Sequence, residues 1–108
     1  MSQPLTLDRI VRKLPQKFNP EQAADLNAIF QFRITDAAPF FITIDAGECA
    51  SEYGVHDDPN LVLHLNEATL IRIISGEQDG MSAFMKGELR AEGNVMLATR
   101  LGKVFSRP

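Results

Sequence analysis

Chemistry in this chain would have to come from a short list of side chains. His56 is followed directly by Asp57 and Asp58, His64 lies in a run of leucines, and Glu88, Arg90 and Glu92 alternate near the C-terminal third. Two histidines, one of them beside carboxylates, could hold a metal, but neither has a partner at the spacing of a zinc site or a facial triad. His56 with its two aspartates is therefore read as a solvated turn, and His64 as the polar side of a strand. Glu88 and Glu92 could serve as an acid–base pair, yet their alternation with Arg90 reads as the wet face of a strand. Ser75 and Ser82 have no neighbouring base to activate a hydroxyl. Gly76, Gly80, Gly87 and Gly93 lack the tight spacing after a strand that a phosphate loop needs. Cys49 is the single cysteine, without a disulfide or metal partner, and reads as a passive strand residue. No catalytic set, metal site or cofactor is expected, and the chain is not expected to be an enzyme.

The elements that would position these groups are legible from periodicity. Leu7, Ile10, Val11, Leu14 and Phe18 recur along one helical face. Thr6 can cap that helix, Asp8 suits its first turn, and Pro15 is expected to end or kink it. Asn19-Pro20-Glu21-Gln22 signals a second, short helical start. From Leu26 the period becomes two: Ala28, Phe30, Phe32 and Ile34 face one way, and Gln31, Arg33 and Thr35 the other. Pro39 opens a second strand over 40–45, Ala46-Gly47 turns the chain, and a weaker third strand runs over 48–55. After the loop at 56–60, Leu61, Leu63 and Leu65 share a face of a fourth strand. These four strands are expected to form an antiparallel meander, because each connection is too short for a helical crossover.

Asn66 then caps a helix carrying Leu70, Ile71, Ile73 and Ile74, stopped at Ser75-Gly76. Asp79 is expected to cap a short helix with Met81, Phe84 and Met85, closed at Gly87. A fifth strand spans 88–92 with Leu89 and Ala91 inward, and Gly93-Asn94 leads to a last helix with Leu97, Leu101, Val104 and Phe105 on one side. The expected fold is one α+β domain over residues 1–108, a five-stranded, mostly antiparallel sheet with helices packed on it.

Composition sets outer limits. The chain has 108 residues, 44% of them apolar and 23% charged, with a net charge of −3, close to globular averages. Lysines and arginines are scattered, so nucleic acid is not an expected partner. No apolar run approaches the ~20 residues of a membrane span, and the first residues carry no secretory pattern. A cytoplasmic location is expected. Met81, Met85 and Met96 lie near Phe84 and Phe105, and flexible, polarizable methionine suits an adaptable apolar site as well as an ordinary core.

Several segments together resemble the sterol carrier protein 2 family. They are the Ser75-Gly76 stop, the Ala83-Phe84-Met85-x-Gly87 helix end, the Leu89-x-Ala91-x-Gly93-Asn94 strand exit and the apolar stretch to Phe105. The Asn19-Pro20-Glu21-Gln22 start, Phe30-x-Phe32 and Leu61-x-Leu63 follow in family order, so nearly the whole chain is covered. Ending in Phe105-Ser106-Arg107-Pro108 rather than a Ser-Lys-Leu-type address, it looks like a stand-alone, bacterial-type member. The resemblance implies helices on one side of the sheet and an apolar tunnel between the layers that binds fatty acids, fatty acyl-CoA or similar lipids without covalent chemistry. By position, Phe30, Phe32 and Ile34 would line it from the sheet, and Ile71, Ile74, Met81, Phe84, Met85, Leu97, Leu101 and Phe105 from the helices. Transient membrane contact would accompany such transfer. The rival expectation is a packed structural or interaction module that oligomerises or assists a lipid- or isoprenoid-metabolising enzyme; oligomeric state is left open.

Overall fold

The structure is a computed structural model and describes residues 7–17, 21, 25–75 and 77–97. The elements run α1 (Leu7–Lys17), β1 (Ala28–Ile34), β2 (Phe40–Asp45), β3 (Glu48–Tyr53), β4 (Leu61–Leu65), α2 (Glu67–Ser75), α3 (Gly80–Met85) and β5 (Arg90–Gly93). The helical start at 19–22 and the helix expected beyond Leu97 lie outside the described residues, Glu21 apart. No helix among the described residues is long and apolar enough to cross a membrane.

α1 buries the face that its periodicity marks, with Leu7, Ile10, Val11 and Leu14 all in the core. Pro15 does not end it: the helix continues to Lys17. The carbonyl that proline leaves without an amide partner is that of Val11, and it takes the Ser51 hydroxyl of β3 instead. Tyr53, two residues along β3, donates its hydroxyl to Asp8 at 2.8 Å. The helix is thereby fixed against the sheet's edge.

The five strands form one sheet in the order β3-β2-β1-β4-β5. The expected meander is corrected at one place: β4 does not add to β3 but pairs in parallel with β1, Phe30 opposite Leu61 and Ile34 opposite Leu65. Burial explains the choice. β3 (Glu-Cys-Ala-Ser-Glu-Tyr) is an exposed strand, whereas Leu61, Leu63 and Leu65 are buried, and a place beside central β1 takes these leucines out of water on the core side. The crossover such a pair requires is not one short loop but the whole β2–β3 hairpin and the loop after it. The hairpin turns at Ala46 and Gly47, both at positive φ (53° and 78°), the two-residue turn whose twist matches the strands. Asn27 Oδ1 accepts the Ala46 amide at 3.1 Å.

One polar side chain holds the returning loop. Gln31, in an outward slot of β1, is 1% exposed. Its Nε2 donates to the carbonyls of Phe40 (3.1 Å) and Gly54 (3.0 Å), and its Oε1 accepts the His56 amide at 2.7 Å. Asn60 finishes the crossing, accepting the Ile29 amide on Oδ1 (2.8 Å) and the Asn94 amide on its carbonyl (2.9 Å). Gly93, at φ 97°, lies so close that a Cβ there would stand 2.8 Å from that Asn60 carbonyl oxygen.

Candidate apolar ligand site

The inner face of the sheet is the apolar floor. Phe30, Phe32, Ile34, Phe40, Ile42 and Ile44 are all buried. The Phe32 and Phe40 rings stack at 4.6 Å between centroids, 3° from parallel. Above them α2 contributes buried Leu70, with Ile71, Ile73 and Ile74 half-buried against the same cluster. Asn66 starts α2 as its sequence suggests, accepting the Thr69 amide on Oδ1 at 2.7 Å. Leu97 also packs on this cluster. Of the residues expected to line a tunnel, the structure thus brings Phe30, Phe32, Ile34, Ile71, Ile74 and Leu97 together. Leu101 and Phe105 lie outside the described residues.

Met81, Phe84 and Met85 are elsewhere. They are 56%, 51% and 80% exposed, and Met96 is 77% exposed. The buried residue of α3 is Ala83. A spacing of i, i+3, i+4 places three side chains on one side of a helix but does not say which side meets the core. The small alanine takes the inner position and the three large apolar side chains stand outward.

α3 is tethered at both ends. Arg72 of α2 donates through Nε to Gln78 Oε1 (2.9 Å) and through Nη2 to Glu88 Oε2 (3.4 Å), while Gln78 Nε2 donates to Glu88 Oε1 (2.6 Å). Arg72 also reaches Thr69 Oγ1 at 3.2 Å. This polar triangle joins the residues just before α3 to those just after it and fastens both to α2. Asp79 holds the N-cap position, but its side chain makes no capping bond; the main-chain carbonyl accepts the Ala83 amide at 3.1 Å. Gly87 closes the helix at φ 79°. Sequence reasoning missed the triangle because it treated Glu88 as a strand residue; the strand begins at Arg90.

The groups that could do chemistry remain dispersed. His64 Nε2 lies 3.1 Å from Glu92 Oε2. His56 accepts the Asp58 amide on Nδ1 at 3.0 Å and meets the Phe41 ring edge-on. Cys49 is half-buried against the core, and burial pushes its thiol up to about 11. Among the described residues, no group of three or more His, Cys, Asp or Glu side chains could hold a metal ion.

Comparison with known proteins adds three kinds of likeness. A family model described as the SCP-2 sterol transfer family matches residues 7–106. Hydroxysteroid dehydrogenase-like protein 2 of Bos taurus is 26% identical over 83 residues, 74% of this chain and 20% of its own. The chain spans only 11% and 20% of the curated relatives it matches. Palmitated SCP2L2 of Aedes aegypti superposes with a TM-score of 0.77 at 17% identity, covering 95% of this chain and 96% of that one. The sec-alkylsulfatase Pisa1 from Pseudomonas sp. gives a TM-score of 0.81 at 19% identity, over 96% of this chain and 17% of the sulfatase. At these identities the structural likenesses establish a shared fold, an α+β sandwich with helices on one face of a five-stranded sheet.

Proposed function

The chain belongs to the SCP-2 sterol transfer family, and from that membership we propose that it binds and transfers an apolar lipid, a fatty acid, fatty acyl-CoA or similar ligand, without catalysing a reaction on it. The observation that carries this reading is the outward face of α3. A helix that served only to close a core would turn Met81, Phe84 and Met85 inward; here Ala83 does that and the large side chains are left in water. Ala83 keeps α3 on the protein, so a turn of this short helix about its own axis would bring the three side chains over a bound acyl chain. Each methylene withdrawn from water gains ~0.8 kcal/mol, so a long acyl chain has ample drive to occupy such a space. A relative of the same fold that carries palmitate supports an acyl chain over a bulkier ligand.

In this reading Phe30, Phe32 and Ile34 form the floor, Ile71, Ile74 and Leu97 the wall, and Met81, Phe84 and Met85 close over the chain. Gly80 and Gly87 bracket α3 and absorb its movement. The test is to extract the purified protein into organic solvent, identify co-purified lipid by mass spectrometry, and measure displacement of a fluorescent fatty acid. Stoichiometric acyl lipid and saturable displacement are expected. Absence of both would sink the carrier reading. The same exposed face would then favour the interaction module, which predicts self-association or complex formation that an α3 variant abolishes.

A further inference from the structure

The sheet face turned away from the helices carries a row of basic side chains. Strand register sets it: Arg33 of β1 is level with His64 of β4, and His64 with Arg90 of β5. Residues paired across neighbouring strands project from the same face, and the strands lie roughly 4.8 Å apart. Two guanidiniums therefore flank one imidazole on adjacent strands. This chain is acidic overall, with a net charge of −3. Arg12 and Arg72 are matched, by Asp8 and Glu88. Arg33 and Arg90 are exposed, and among the described residues neither side chain has an ion-pair or hydrogen-bond partner.

Two grooves meet on this row. One, of about 420 Å³, is lined by His64, Arg90 and Glu92 together with Thr35, Arg72 and Glu88. The other, of about 220 Å³, lies where Val55, His56 and Pro59 of the crossover loop approach Arg33, His64 and Glu92. His64 and Glu92 belong to both. Arg90 opens on the first, mainly polar groove and Arg33 on the second, mainly apolar one, with His64 between them; a guanidinium suits an oxyanion because its planar fork offers parallel N–H donors.

We infer that the Arg33–His64–Arg90 row binds a phosphate group, carried either by a small phosphorylated molecule or by a phospholipid head group. Three terminal oxygens give each basic side chain a partner. Of the two carboxylates in the groove, Glu88 is held by Arg72 and Gln78, and Glu92 is the competitor: its contact with His64 Nε2 (3.1 Å) is the one an incoming phosphate displaces. The row lies across the sheet from the Phe30–Phe32 floor, so the site stands independently of the acyl-binding reading.

The experiment titrates inorganic phosphate into isotope-labelled full-length protein, following amide resonances, with sedimentation on phosphatidic acid and phosphatidylcholine vesicles in parallel. Shifts converging on residues 33, 64 and 90 identify a free phosphate ligand. Selective sedimentation with phosphatidic acid identifies a head group. In either case R33Q/R90Q should weaken binding by about tenfold for each guanidinium removed. E92Q, which removes the competing carboxylate, should tighten it. Fatty-acid displacement should be unchanged in both variants, which separates failure here from failure of the lipid-carrier reading. Binding of neither probe, or binding that R33Q/R90Q and E92Q leave untouched, overturns the inference.

Discussion

The Ser51 hydroxyl of β3 donates to the main-chain carbonyl of Val11 in α1. In an uninterrupted helix that carbonyl would accept the amide of residue 15, and proline has none. Helix and edge strand are thus joined at the carbonyl the proline leaves open. Ser51→Ala should lower stability by about 1–2 kcal/mol, read from urea unfolding. With Pro15→Ala the amide at position 15 is restored, and the same serine substitution should then cost much less. A double-mutant cycle measures that coupling; additive effects would show that the two sites do not share the carbonyl.

Gln31 carries a similar burden on the other face. Its amide nitrogen serves the carbonyls of Phe32, Phe40 and Gly54 and its oxygen the His56 amide, tying the start of the segment that crosses from β3 to β4 to the neighbouring strands. Gln31→Leu keeps the bulk and strands these groups, at roughly 1–3 kcal/mol for each one left buried and unmatched. Hydrogen exchange should accelerate at residue 56 before it does in the β1–β4 ladder. Uniform acceleration throughout the sheet would mean that Gln31 supports global stability rather than this crossing.

Both joints show where sequence reasoning reaches and where it stops. Strand faces and helix stripes were legible because alternation and 3.6-residue spacing are local: Phe30, Phe32 and Ile34 are buried where the pattern put them. Gln31 falls in an outward slot of the alternation, and its burial comes from a segment more than twenty residues away. The parallel β1–β4 pair was missed for a related reason, since testing each short connection singly overlooked a hairpin serving as the crossover. In α3 the spacing grouped Met81, Phe84 and Met85 correctly but could not assign the group to inside or outside. The Arg33–His64–Arg90 row was invisible until register placed three distant positions side by side.

Cys49 should behave as an inert thiol. Burial pushes its ionisation up to about 11 from an ordinary 9.0, so thiolate is scarce at neutral pH and alkylation by iodoacetamide should be slow in native protein and fast in urea. The linkage has a definite sign. The folded state holds the thiol proton more tightly than the unfolded chain, so this contribution to stability is complete below about pH 9 and is lost as pH rises through about 11. Cys49→Ala should remove that part of the alkaline decline. A native alkylation rate equal to that in urea would show the thiol is not held in the core.

The α3 face separates binding from folding. Because Met81, Phe84 and Met85 are more than half exposed, replacing each by Gln should alter stability by no more than about 0.5 kcal/mol. Leu70→Ala, in the buried cluster, should cost about 2–5 kcal/mol. Acyl binding should rank the other way: the α3 variants lose apolar contact with a bound chain, about tenfold or more per side chain if each is largely covered in the complex, while their urea midpoints stay put. Fatty-acid displacement and urea unfolding on the same samples decide the matter. Parallel loss of stability and affinity in the α3 variants would make these residues ordinary packing; preserved stability with lost affinity makes them the side of the site that the lipid itself completes.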